Sequence, residues 1–157
     1  MTHLFQSRTT ARAEEFTIYA RLREERMTVY SGFAGTILEF RSAQYSRALR
    51  AFEGTDTPAY ADARATSQRV RVVAWQALYR IRLIAGSSEV RELAENAMTL
   101  AADMHESADK ATLSTRGNDV RAAVEAFIAA ATAEVAVGNG LVKPRTAPSV
   151  ERGAASV

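Results

Sequence analysis

The fold follows from MTVYSGFAGTILEFRSAQYSRA, residues 27–48 of the chain. Apolar side chains recur in it three and four residues apart, as on one face of an α-helix. Continued in both directions, this spacing predicts a first helix from about Thr10 to Phe52. Gly32 and Gly35 lie inside that helix and predict a bend or a close helix crossing. The residues predicted to face inward are Phe16, Tyr19, Met27, Tyr30, Ala34, Ile37, Gln44 and Ala48, with Phe33 and Phe40 beside them.

Three more helices are predicted downstream, because residues that cap or break helices divide the rest of the chain. A second helix runs from Pro58 to Ala85, and its apolar segment 70–85 predicts cover on several sides. A third helix ends between Ser107 and Leu113. The predicted boundary residues are Thr57 with Pro58, Gly86, Ser87 with Ser88, the turn Gly117-Asn118-Asp119 with Asn118 as cap, and the stop Gly138-Asn139-Gly140. The predicted inward residues are Val90, Leu93, Ala97, Leu100 or Ala101, Met104 and Ala108, then Val120, Ala123, Val124, Phe127, Ile128, Ala131 and Val135.

Four helices with short connections predict an all-α fold, an antiparallel four-helix up-down bundle with an unusually long first helix. Residues 1–9 are interpreted as a flexible N-terminus, 10–140 as the bundle, and 141–157 as a disordered C-terminal tail. Residues 61–86 carry five Arg and one Asp, whereas residues 87–137 carry four basic and nine acidic side chains. The basic second helix is therefore predicted to lie beside the acidic third and fourth helices.

Composition excludes several classes of protein. The 157 residues are 47% apolar, which argues against a wholly disordered chain. The chain has no cysteine, which excludes disulfide scaffolds, thiolate zinc sites and Cys nucleophiles. No uncharged stretch is long enough to span a bilayer, and residues 1–15 contain no apolar segment of a secretory peptide. A cytoplasmic location is the expectation.

Motifs for catalysis and for cofactors are missing from the sequence. A di-iron bundle needs Glu-x-x-His, but residue 102 is Ala and Glu39 has no matching inward acid on the second helix. Phosphate-binding glycine loops and the nucleophile elbow are also missing. His105, close to Asp103, Glu106 and Asp109, is interpreted as part of a solvated helix end. We therefore expect no enzymatic activity, no catalytic residues, no cofactor and no metal.

The arginines of the second helix allow two interpretations. One is that they pair across helices with acids of the third helix, while their stems cover apolar neighbours. The other is that they form a face that binds anions. The arginines are Arg64, Arg69, Arg71, Arg80 and Arg82, and the predicted partners are Glu89, Glu92, Glu95 and Asp103.

The aromatic residues also allow two interpretations. Their helical spacing predicts that they belong to the core, and the alternative is that they stack nucleic-acid bases. Methionines are expected to fill gaps in the same core. The aromatic set is Tyr30, Phe33, Phe40, Tyr45, Trp75 and Tyr79, and the methionines are Met27, Met98 and Met104.

A resemblance to known proteins rests on RLREERMTVYSGFAGTILEFR (21–41), RVRVVAWQALYRIRLIAG (69–86) and AVEAFIAAATAEV (123–135). The shared pattern is R-x-x-x-Y-x-x-F at Arg26, Tyr30 and Phe33, then a Trp followed by R-x-R, here Trp75, Arg80 and Arg82. Over residues 16–137 the chain resembles a loose set of uncharacterised helical-bundle proteins of high-GC bacteria. The resemblance implies a helical fold and no catalytic residues. Members often begin with a membrane anchor, which residues 1–15 are not expected to supply.

Two functional hypotheses follow. The first is a non-enzymatic helical bundle that acts through protein–protein contacts, as a scaffold or adaptor, with an unidentified protein partner or a second copy. It rests on a first helix too long for its neighbours to cover, which leaves Phe5, Phe16 and Tyr19 projecting. The alternative is a peripheral module that binds an anionic surface, membrane or nucleic acid, through N-terminal and second-helix arginines. The N-terminal arginines Arg8, Arg12, Arg21, Arg23 and Arg26 are nearly balanced by Glu14, Glu15, Glu24 and Glu25. No small-molecule substrate is indicated.

Overall fold

A computed structural model describes the backbone of residues 3–140 and the side chains of residues 12–137. It contains four α-helices, α1 (His3–Glu53), α2 (Pro58–Ile84), α3 (Ser88–Asp103) and α4 (Lys110–Gly140), with a single 3-10 turn (Met104–Glu106) before α4. Residues 3–140 include no strand. The prediction of an all-α four-helix fold with a long first helix is confirmed. The predicted tail, 141–157, lies outside the described residues, as does the side chain of Phe5.

Two of the predicted helix starts are confirmed by their capping bonds. The Thr57 hydroxyl accepts a hydrogen bond from the Tyr60 amide at 3.2 Å, and Pro58 is the first residue of α2. The Ser87 hydroxyl accepts from the Val90 amide at 3.1 Å and begins α3. Each bond satisfies one amide that the helix itself leaves unpaired. Between α1 and α2 the chain reverses at Gly54, whose φ of 138° is a conformation that other residues rarely adopt.

The α1 helix starts earlier than predicted, at His3 rather than about Thr10. The predicted turn at 117–119 is wrong, because α4 already begins at Lys110 and continues through Gly117. Asp109 is the residue that caps α4: its carboxylate accepts from the Thr112 amide at 2.7 Å, and this bond lowers the pKa of Asp109. The α3 helix also ends earlier than predicted, at Asp103 rather than between Ser107 and Leu113.

The helices form an antiparallel bundle in which α1 packs against α2 and α4, and α3 packs against α4 and α2. Within residues 3–140, no Cα atom of α2 lies within 8 Å of one of α4, so the basic helix lies directly beside only one of its two predicted acidic neighbours. At the centre of the bundle, the Phe127 ring makes edge-to-face contacts with Phe33 (ring centroids 4.9 Å apart) and with Tyr30 (5.9 Å). The largest fully buried side chains are Phe33, Ile37, Phe40, Leu78, Ile81, Val90, Met98, Met104, Leu113, Val120, Val124 and Phe127.

Several residues that were predicted to belong to the core are not buried. Met27, Tyr79 and Ile128 are exposed, and Trp75 is only partly buried. Segment 70–85 was expected to be covered on several sides, but α2 contacts the bundle through one stripe that contains Ala74, Leu78 and Ile81. On the opposite side of α2, Val72, Tyr79 and Leu83 are each more than half exposed, whereas Trp75 is partly buried against the core. Ala108 is also exposed, and so are Phe16 and Tyr19, which continue the predicted inward face of α1 but lie beyond the part that its neighbours cover.

A polar group is also buried in the bundle. Gln44 on α1 is 2% exposed; its amide donates to the Ala102 carbonyl at 2.7 Å, and its carbonyl accepts from the Ser67 hydroxyl at 2.6 Å. The His105 ring nitrogen Nδ1 lies 2.8 Å from the same Ala102 carbonyl. This network ties α1, α2 and the end of α3 together without leaving a buried polar group unpaired.

Candidate interaction surfaces

The overhang, defined as residues 12–29 of α1, is the first candidate surface. Every residue from Arg12 to Arg21 is exposed, and full burial in α1 starts only at Tyr30. Phe16 and Tyr19 are 62% and 61% exposed, which confirms that they project from the bundle. The length of α1 is the reason: 51 residues form a helix of about 76 Å, and the next longest helix has 31.

A groove between α1 and α4 opens at the base of the overhang. It is a cleft of about 510 Å³ whose walls include Met27, Ala34, Phe127 and Ile128. Its lining is largely apolar, and the overhang itself contributes Arg23 and Met27 to it. The apolar surface of the overhang therefore continues into the bundle, which explains why Met27 and Ile128 are exposed although both show helical spacing.

A polar junction fixes the root of the overhang. The Tyr30 hydroxyl donates to one carboxylate oxygen of Glu134, and the other oxygen accepts from the Ser87 amide at 2.5 Å. Arg26 donates through Nε to the Ile84 carbonyl at 3.0 Å and lies 4.0 Å from the Glu134 carboxylate. These bonds join α1, the α2–α3 connection and α4 at one place, so the overhang leaves the bundle in a fixed direction.

Gly86 allows this junction to form. A Cβ built on Gly86 would lie 2.8 Å from the Arg26 guanidinium. Among the described residues only Gly54 has a positive φ, so the backbone conformation of Gly86 does not itself require glycine. The predicted end of the second helix at Gly86 agrees with the structure to within two residues, since α2 ends at Ile84, and Gly86 also leaves room for the Arg26 guanidinium.

The outer face of α2 is the second candidate surface, defined by Val72, Trp75, Tyr79 and Leu83. These residues are three and four apart and therefore share one side of the helix. Leu83 is 88% exposed, and Val72 and Tyr79 are each more than half exposed. The Trp75 and Tyr79 rings lie 5.9 Å apart at 34°. The sequence did not predict this exposed face, because hydrophobic periodicity alone does not show how many neighbouring helices cover a helix.

The arginines of α2 are only partly paired. Arg82 forms the predicted kind of ion pair, with Glu95 of α3 at 2.9 Å, and its guanidinium lies 5.6 Å from the centre of the Tyr79 ring. Arg64, Arg69, Arg71 and Arg80 are all exposed, and none has an acidic partner within 4 Å among residues 12–137. Pairing with α3 therefore accounts for one of the five arginines.

The residues considered for metal or acid–base chemistry do not converge. His105 is held against the Ala102 carbonyl, whereas Asp103, Glu106 and Asp109 are exposed around the end of α3. Glu39 is exposed on α1, beside the cleft between α1 and α2. In the part of the chain that the structure describes, no group of three or more His, Asp or Glu side chains is placed to hold a metal ion.

The fold and these surfaces define a four-helix-bundle protein with two exposed apolar helix faces. The chain belongs to the KilB plasmid transfer protein family, whose family model matches residues 27–135. The match covers the bundle and the outer face of α2 and begins near the end of the overhang. Comparisons with curated proteins and with solved structures gave no match. None of the helices in residues 3–140 combines the length and the apolarity needed to cross a membrane.

Proposed function

We propose that this protein acts in plasmid transfer as a non-enzymatic component that works through protein–protein contacts, the first of them being with a second copy of itself. The observation that carries the proposal is the exposure of Phe16 and Tyr19 on the overhang. Exposed aromatic residues that cluster on one element are typical of interaction sites. The family membership supports the setting, plasmid transfer.

A second copy is favoured as partner because a symmetric dimer is the commonest way to bury an exposed apolar patch. At 3.6 residues per turn, Arg12, Phe16, Tyr19 and Arg23 share one side of the overhang, whereas Glu14 and Arg21 lie on the opposite side. Antiparallel packing places Phe16 of each copy opposite Tyr19 of the other, and parallel packing in register places each ring opposite its own copy. Both arrangements are two-fold symmetric, and we favour the antiparallel one because it keeps the two bundles at opposite ends of the contact.

The antiparallel arrangement places the aromatic residues at the centre. Phe16 and Tyr19 lie between Arg12 and Arg23 on one side of the helix, so the contact brings the aromatic rings of the two copies together. Contacts between buried aromatic side chains carry most of the free energy in many interfaces, and charged rims mainly set the orientation. The polar junction attaches the root of the overhang to the bundle through Arg26 and Tyr30, which reduces the ordering needed on association.

Light scattering of the full chain tests the proposal. We expect a mass of twice 17.1 kDa for the unaltered protein and a monomer for the double variant Phe16→Ser/Tyr19→Ser. Leu83→Ser is the matched control, because it removes an exposed apolar side chain from α2 and leaves the overhang intact. A monomeric unaltered chain, or a dimer that persists in the double variant, contradicts self-association through the overhang.

A further inference from the structure

The outer face of α2 is an apolar stripe between two rows of arginines. Arg64, Arg71 and Arg82 are seven and eleven residues apart and therefore lie in one row. Arg69 and Arg80, eleven apart, form a second row, which begins with Asp62 seven residues before Arg69. At 3.6 residues per turn the stripe of Val72, Trp75, Tyr79 and Leu83 runs between them, about a quarter turn from each.

The charge of this face is positive. In α2 the five arginines are accompanied by a single acid, Asp62, near the start of the helix. Glu95 of α3 pairs with Arg82 at one end of the stripe. The remaining four arginines have no acidic partner within 4 Å among the described side chains, so their charge is available to an anionic ligand.

We infer that the outer face of α2 binds the surface of an anionic lipid bilayer. A helix that lies in the plane of a membrane surface has an apolar stripe that enters the acyl boundary and cationic side chains on either side that reach the headgroups. Trp75 and Tyr79 add the amphipathic rings that prefer this depth. The binding site is distinct from the overhang and does not depend on self-association.

The aliphatic residues favour a lipid surface over nucleic acid. Phosphates of a duplex would satisfy the arginines but would leave Leu83 and Val72 in water. A lipid surface satisfies both, because its headgroups are anionic and its acyl region is apolar. The two ligands therefore differ in which substitutions abolish binding.

The experiment measures co-sedimentation of the full chain with phosphatidylcholine vesicles, with and without phosphatidylglycerol, at low and at high salt. We expect binding only to the vesicles that contain phosphatidylglycerol, and weaker binding at high salt. Trp75 is the only tryptophan of the chain, so its emission should shift to the blue when the face enters the lipid.

Two double variants separate the lipid surface from other ligands. Arg64→Glu/Arg71→Glu and Val72→Ser/Leu83→Ser should each reduce vesicle binding, on the order of tenfold or more. All four side chains are exposed, and circular dichroism checks that both variants keep their helix. The control is Phe16→Ser/Tyr19→Ser, which should keep its binding to vesicles.

Three outcomes would overturn the inference. The first is no binding to the anionic vesicles. The second is loss of binding in the arginine variant alone, with the aliphatic variant unaffected, which indicates a purely electrostatic contact. The third is a duplex DNA probe that binds the unaltered chain and the aliphatic variant equally, while vesicles do not bind. None of these outcomes changes the light-scattering result for the overhang, so the two proposals fail separately.

Discussion

Tyr30 on α1 donates its phenol hydrogen to Glu134 on α4, 104 residues further along the chain. Glu134 also accepts from the Ser87 amide, and its side chain is only 11% exposed. One carboxylate therefore satisfies donors from two other parts of the bundle. The relationship matters for function because Arg26 and Tyr30 are where the overhang joins the folded core.

Glu134→Ala should lower the free energy of unfolding by about 1–3 kcal/mol, because it leaves the Tyr30 hydroxyl and the Ser87 amide without their partner. Urea denaturation followed by circular dichroism measures the loss. Glu125→Ala is the matched control, since Glu125 lies on the same helix and is exposed. Equal losses in the two variants would show that Glu134 does not act through these bonds.

The stability of the protein should fall as the pH rises above about 10. Burial, followed by the hydrogen bond to Glu134, raises the pKa of Tyr30 above its ordinary value. Because the unfolded chain then loses the phenol proton at a lower pH than the folded protein, unfolding is favoured from about pH 10 upward. Urea denaturation at pH 8 and at pH 11 should show a larger loss for the unaltered protein than for Tyr30→Phe. The same loss in both proteins would mean that another group is responsible.

The helix boundaries that could be predicted from the sequence are those set by hydrogen bonds between residues close together in the chain. Thr57 and Ser87 cap their helices through bonds to amides three residues away, so the signal lies within a few residues. Asn118 was predicted as the cap of the last helix by that criterion, but the structure caps α4 with Asp109 instead. The difference is tertiary: Gly117 stays helical with Arg41 of α1 against it, and the Arg41 Nε donates to the Gly117 carbonyl at 2.6 Å.

Four glycines should respond to alanine in opposite directions. At Gly32 and Gly35 a Cβ would meet nothing within 4 Å, so the predicted close helix crossing is wrong there. Gly32→Ala and Gly35→Ala should each raise the free energy of unfolding by about 0.5–1 kcal/mol, the usual gain of alanine over glycine inside a helix. Gly86→Ala and Gly117→Ala should lower it, because their Cβ atoms would lie 2.8 Å and 3.0 Å from the guanidinium groups of Arg26 and Arg41, which hydrogen bonds to the Ile84 and Gly117 carbonyls hold in place. Thermal melts of the four variants test both signs, and a destabilising Gly32→Ala would indicate that the helix needs glycine at that position.

Replacing a fully buried aromatic residue should lower the free energy of unfolding more than replacing a partly buried one. Phe33 is fully buried, so Phe33→Ala should cost about 3–5 kcal/mol. Trp75 is only partly buried, so Trp75→Ala should cost about 1–2 kcal/mol, in proportion to the apolar area it buries. Urea denaturation of both variants gives the comparison. A loss for Trp75→Ala as large as that for Phe33→Ala would show that the indole is covered, and would contradict an open outer face of α2.

The surfaces could be predicted less fully than the fold. The exposure of Phe16 and Tyr19 follows from length alone, since no other predicted helix is long enough to cover that part of α1. Whether the α2 arginines pair with acids of α3 depends on how α2 is rotated about its axis, and the sequence does not specify that rotation. Only Arg82 is turned towards an acid of α3, and the same rotation places Leu83 in water.

Charge reversal on the overhang distinguishes the two arrangements of the dimer. Arg12 and Arg23 lie on the same side of α1 as Phe16 and Tyr19, so in the antiparallel arrangement Arg12 of each copy lies opposite Arg23 of the other. Arg23→Glu should therefore replace repulsion by attraction and tighten the antiparallel dimer at low salt, and the gain should shrink at high salt. In a parallel, in-register dimer residue 23 faces its own copy, like against like before and after the change, and the dimer would not tighten. Light scattering over a range of protein concentrations at low and at high salt measures the difference, and an Arg23→Glu dimer no tighter than the unaltered one would contradict the antiparallel arrangement. Arg12 and Arg23 are exposed and lie outside the bundle core, so the change in mass reports on association rather than on folding.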